Sequence, residues 1–124
     1  MKKCFFTLLS AVFLINLNAQ TSYTINSGNF YYTPQILTIN VGDTVHWVND
    51  GGLHNVNFDI NTMTGISYNN PESFSSTSTN DVDMYSHVFT IAGTYEYDCS
   101  VGSHAANGMT GTVIVNNNSS SVFN

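Results

Sequence analysis

Residues 35–49, Gln35-Ile36-Leu37-Thr38-Ile39-Asn40-Val41-Gly42-Asp43-Thr44-Val45-His46-Trp47-Val48-Asn49, carry two strand patterns joined by one turn. Leu37, Ile39 and Val41 alternate with Thr38 and Asn40, the two-residue period of a strand with one face in a core and one in water. Gly42-Asp43 is a turn pair. Beyond it Val45 and Trp47 fall on one side and His46 and Val48 on the other, until the pattern ends at Asp50-Gly51-Gly52-Leu53. Working outward, the same punctuation recurs from Tyr23 onward. Asn55 to Ile60 and Tyr85 to Ile91 read as short strands, and a turn at Ala92-Gly93 leads into Thr94 to Cys99. There Tyr95, Tyr97 and Cys99 share an inward face opposite Glu96 and Asp98. Gly111 to Val115 is a last strand. Between them, Asn61 to Asp83 is rich in Ser, Thr and Asn, with Pro71, and reads as a long surface excursion. No stretch has a helical period of apolar residues, so the expectation is an all-β sandwich of about seven to eight strands.

Composition agrees with one packed domain: 124 residues, 42% hydrophobic and 13% aromatic but only 8% charged. Such a chain can bury a core, unlike a disordered segment. Lys2 and Lys3 precede the apolar run Cys4 to Leu17, the pattern of a secretory signal cleaved after Ala19; the run is short for a membrane span. The expected organisation is a signal at 1–19, the domain at 20–116, and an Asn/Ser-rich tail or linker at 117–124. The domain then keeps all eight carboxylates and no Lys or Arg. Without a fixed cation it cannot neutralise phosphates, which excludes ordinary nucleic-acid binding and anionic lipid surfaces; its partners should be neutral or basic. Cys4 leaves with the signal, so Cys99 stands alone and no disulfide can form within the domain.

The chemistry concentrates in Tyr95 to Val115, where Cys99, His104 and Met109 stand in a C-x4-H-x4-M arrangement. A thiolate favours soft metals, an imidazole suits copper or zinc, and a thioether serves copper as a weak ligand but zinc poorly, so the trio points to copper. A fourth ligand must come from elsewhere. His54 is the leading candidate because it follows the glycine-rich end of a strand. His87 is its rival, since the turn at Ala92-Gly93 returns the chain past it, whereas His46 sits in mid-strand and reads as a surface residue. Met63 and Met84 read as loop or packing residues.

The sequence resembles the cupredoxins, small blue-copper proteins of the plastocyanin and azurin type. The likeness rests on Phe30 with Pro34, Gly42-Asp43-Thr44-Val45 before Trp47 and Asn49, His54-Asn55-Val56, Gly93-Thr94-Tyr95 before Tyr97 and Cys99, and Gly108-Met109 with Gly111. It implies a Greek-key sandwich with one copper ion near one end. It also implies His54, Cys99 and His104 as strong ligands, Met109 as the weak axial one, and Asn55 as the residue tying the two ligand loops together. The four-residue gap between Cys99 and His104 is longer than in plastocyanins proper and resembles phytocyanins and bacterial cupredoxins. The missing disulfide makes a bacterial plastocyanin-like protein the nearer likeness, and Ser103 in place of a second cysteine argues against a binuclear centre.

These features lead to the expectation of an exported, monomeric, periplasmic or extracellular electron carrier. It cycles Cu(II)/Cu(I) between redox proteins and has no substrate chemistry of its own. Electrons would leave through His104, with Leu53, Ala105 and Ala106 beside Gly52 as an uncharged docking patch. The competing reading is a copper module for storage, delivery or sensing, part of a longer secreted protein. Zinc in the same ligands, a Cys-His nucleophilic pair without an orienting third group, and a metal-free adhesion sandwich are the remaining readings.

Overall fold

The two patterned segments around Gly42-Asp43 become β3 (Ile36–Asn40) and β4 (Thr44–Asn49), and they lie in different sheets. The turn between them is held by the buried Asp43, whose carboxylate accepts the N–H groups of Thr21 and Asn40, both at 2.9 Å. In this computed structural model, which describes residues 2–4, 7–14 and 19–117, five further strands complete the sandwich. They are β1 (Ser22–Gly28), β2 (Tyr31–Thr33), β5 (Asp83–Val88), β6 (Gly93–Asp98) and β7 (Thr110–Asn116). One sheet has the order β2-β1-β4-β5 and the other β3-β7-β6; β1 with β4 and β3 with β7 are parallel, and the other pairs are antiparallel. A 3₁₀ turn at Ala105–Asn107 is the one helical element among the described residues.

The alternation explains the core. Val45 and Trp47 of β4 and Ile25 of β1 face Ile39 of β3, Tyr95 and Tyr97 of β6, and Val113 and Val115 of β7, all fully or nearly fully buried. Trp47 Nε1 donates to the Tyr97 hydroxyl at 3.3 Å across the two layers, so even the polar atoms of these aromatics are partnered. The inner faces close around the aromatic rings and leave the strand ends to carry the loops.

One local expectation fails for a tertiary reason. Asn55 to Ile60 is not a strand: the backbone makes only isolated bridges, Asn57 to both Ser75 and Asp98, and Ile60 to Ser67. His54 through Phe58 are all buried, because the excursion covers one side of the segment and β6 the other, and no two-residue alternation survives. Asp98, opposite the thiol on β6, is 0% exposed, because the excursion folds back over the outer side of β6 and, together with Asn57, supplies donors to its carboxylate. The same excursion protects the open edge of β6: the Asn70 side chain accepts from Glu96 N–H at 2.9 Å and donates to its carbonyl at 2.8 Å, standing in for a neighbouring strand.

Outside the sandwich, residues 7–14 form no regular element, and Leu8, Leu9, Val12, Phe13 and Leu14 are strongly exposed. Positions 1, 5, 6 and 15–18 of the expected signal, and 118–124 of the expected tail, lie outside the described residues. Among those described, no helix is long and apolar enough to cross a membrane.

Candidate metal centre

The loop after β4 is built to present His54. Asn49 closes it, accepting the Gly51 N–H at 2.9 Å and donating to the Gly52 carbonyl at 2.9 Å. Gly52 has φ +94°, and a Cβ there would stand 3.0 Å from His54 Nε2, so both conformation and clearance require glycine. The His54 backbone exchanges two hydrogen bonds with Thr79 of the excursion. Its Nε2 lies 2.8 Å from the Gly51 carbonyl, which can only accept, so Nε2 carries the hydrogen and Nδ1 is left with a lone pair.

Cys99 follows the last residue of β6, and its N–H donates to the Met109 carbonyl at 3.1 Å. The intervening loop closes on itself: His104 N–H bonds Val101, the 3₁₀ turn ends at Gly108 with φ 102°, and Met109 N–H returns to the His104 carbonyl at 3.0 Å. His104 Nδ1 therefore lies 3.2 Å from His54 Nδ1 and 3.4 Å from Cys99 Sγ, with 4.0 Å between Sγ and His54 Nδ1. His54, Cys99 and Met109 are buried and His104 is half-buried. Burial first, then the neighbouring His54, holds the His104 imidazole below its ordinary pKa. Two ring nitrogens and a thiol converge without a carboxylate or other fixed charge among them. Donor separations of 3.2–4.0 Å are what bonds of about 2.0–2.3 Å to one shared first-row metal require, so the residues fit a metal ion.

Asn55 joins the two loops. Its side chain accepts the Ser100 N–H and donates to the Ser100 hydroxyl, both at 2.8 Å, one residue beyond Cys99. The Tyr32 hydroxyl donates to the Asn55 carbonyl at 2.5 Å; burial first, then the Cys99 charge, pushes that phenol far above its usual pKa and keeps it a neutral donor.

Other candidates fall elsewhere. His87 pairs in register with Val45, stacks on Phe74 at 3.8 Å and meets Glu72 at 3.3 Å, outside the cluster. His46 Nδ1 is 2.6 Å from the Ser86 hydroxyl. Met84 packs in the core and Met63 is exposed. Of the three residues expected in a docking patch, Leu53 and Ala106 are exposed and Ala105 is not: the 3₁₀ turn directs it inward, leaving it 2% exposed. Phe30 was not anticipated there. It is 38% exposed with its ring edge-on to His104 at 5.4 Å, although the sequence offered only its place in the family likeness.

A two-sheet β-sandwich with His54, Cys99, His104 and Met109 gathered in the loops at one end defines a cupredoxin with a type 1 copper-like site. The chain belongs to the copper binding proteins of the plastocyanin/azurin family, whose profile matches residues 19–116, and copper is its cofactor. It is 38% identical over 91 residues to a plastocyanin of Scenedesmus fuscus, covering 73% of this chain and 91% of that one. With a plastocyanin of Synechococcus sp. (strain JA-2-3B'a(2-13)) it shares 34% identity over 115 residues, 87% of this chain and 83% of the other. Among solved structures, the Cu(I) form of an amicyanin variant superposes with a TM-score of 0.57 at 28% identity, over 79% of this chain and 85% of that one.

Proposed function

We propose that this blue-copper electron-transfer protein is an exported carrier that passes single electrons between redox proteins, with no substrate chemistry of its own. The observation that carries the reading is the convergence of His54, Cys99 and His104 within 4.8 Å of one another in a buried, cross-braced pair of loops. In this reading the two imidazoles and the Cys99 thiolate are the strong ligands, and the Met109 thioether is the weak axial one. Copper held there supplies a one-electron couple between Cu(II) and Cu(I). The chain's task is to keep its donors still while the charge changes. Asn49 and Gly52 hold the His54 loop, Asn55 ties it to Ser100, and the hydrogen bonds between His104, Met109 and Cys99 hold the second loop. Donors that are already together need little rearrangement, and a mixed nitrogen and sulfur set suits both oxidation states.

His104 is the proposed exit, because it is the half-exposed member of the cluster. Phe30 lies edge-on to it, and with the exposed Gly52, Leu53 and Ala106 it would form an uncharged surface for brief encounters, while the carboxylates elsewhere would attract basic partners. A single copy is expected to function alone, outside the cytoplasm after loss of residues 1–19.

The test is addition of one equivalent of Cu(II) to the domain, followed by absorption and electron paramagnetic resonance. An intense red-end visible band with narrow hyperfine splitting is expected, and Cys99→Ser should abolish it while the domain stays folded. A Cys99→Ser protein that remained blue would overturn the ligand set. Slow self-exchange combined with rapid copper release to a chelator would move the function from electron carriage to copper delivery.

A further inference from the structure

Asp98, immediately before Cys99, is completely buried, on the side of β6 opposite the thiol. Four donors converge on it. Asn57 Nδ2 and the Thr62 hydroxyl reach Oδ1, both at 2.8 Å, while Thr62 N–H at 2.8 Å and the Tyr68 hydroxyl at 2.7 Å reach Oδ2. Asn57 Nδ2 and the Thr62 N–H can only donate, one to each oxygen, so both carboxylate oxygens act as acceptors, and the two hydroxyls complete the set of four contacts. Burial first, then the hydrogen bond to Asp98, pushes the Tyr68 phenol above its usual range, which keeps it a donor. The nearest available cation chemistry is absent from these partners: the chain's only Lys and Arg residues are Lys2 and Lys3, in the exposed N-terminal segment. The Asp98 carboxyl group is therefore fully buried, without a Lys or Arg partner, in the residue next to the thiol's own.

Fixing the excursion does not require a charge at Asp98. Ser76 N–H donates to the Val56 carbonyl, Thr79 exchanges two backbone hydrogen bonds with His54, and Asn70 holds Glu96. The geometry points to a second role: Asp98 is a positioning residue whose fixed negative charge favours the oxidised, more positive state of the centre and so lowers its reduction potential. A charge in a low-dielectric interior acts over several ångströms with little screening, and its four donors moderate it without cancelling it. This rests on the blue-copper reading.

The experiment is voltammetry on copper-loaded wild type, Asp98→Asn and Tyr68→Phe. Asp98→Asn should shift the equilibrium toward the reduced state about tenfold, a rise of about 59 mV for one electron. Tyr68→Phe removes a donor but leaves the charge, so its potential should fall. A loosened loop alone would move both variants the same way. An unchanged potential in Asp98→Asn overturns the inference. Should that variant fail to fold, Tyr68→Phe decides alone, and an unchanged or raised potential there overturns it. A wild type without the blue band refutes the copper reading itself and this inference with it, whereas a blue wild type whose variants do not shift refutes only the inference.

Discussion

A single hydrogen bond, from His54 Nε2 to the Gly51 carbonyl, determines which nitrogen of that ring faces the thiol. At the other side of the centre Met109 is fully buried, and its backbone bonds both His104 and Cys99, so its place depends on the loop closing correctly. Met109→Gln should keep a copper site yet lower the potential, because an oxygen donor prefers Cu(II) to Cu(I); an unchanged potential in voltammetry would remove Met109 from the axial position. Cys99, His104 and Met109 were legible together in the sequence because they lie within one short loop. His54 was not separable from His87 in that way. Their ranking depends on which strand end lies beside the Cys99 loop, and only the pairing of β5 with β4 sends His87 to Val45 instead. The burial of Asp98 was not legible, because strand parity says which way a side chain points but not what later covers it.

At the scale of elements, β6 and β7 pair in register with Tyr97 opposite Gly111, and the Tyr97 ring lies where a Gly111 side chain would be. A Cβ there would stand 2.4 Å from the ring, so the tyrosine that accepts from Trp47 requires a glycine beside it. Gly111→Ala should therefore lower the denaturant midpoint by about 1–3 kcal/mol of stability, the cost of overpacking a filled core. A midpoint equal to that of wild type would mean the ring moves aside freely. The strands themselves were readable wherever one face is wet: β3, β4, β6 and β7 all fall on alternating stretches. Residues 54–58 misread as a strand because burial on both sides removes the alternation, and only the neighbours show that the segment is a bridged loop.

For the whole molecule, eight carboxylates face no Lys or Arg beyond Lys2 and Lys3. Electron exchange with a cationic redox partner should slow about tenfold on going from low ionic strength to physiological salt, and an anionic partner should show the opposite trend. Stopped-flow rates that ignore salt would place the contact wholly on the uncharged surface around His104. Composition and period were enough to establish an all-β domain, its acidity, the lone thiol and the copper-like donor set, because these depend on residue identity and spacing along the chain. The meeting of the His54 loop with the Cys99 loop, the burial of Asp98 and Ala105, and the appearance of Phe30 against His104 were decided by tertiary structure alone. Each is a contact between segments far apart in the chain or between the two layers, and the free energy that selects among such contacts is gained only when the sheets pack and the excursion closes over them.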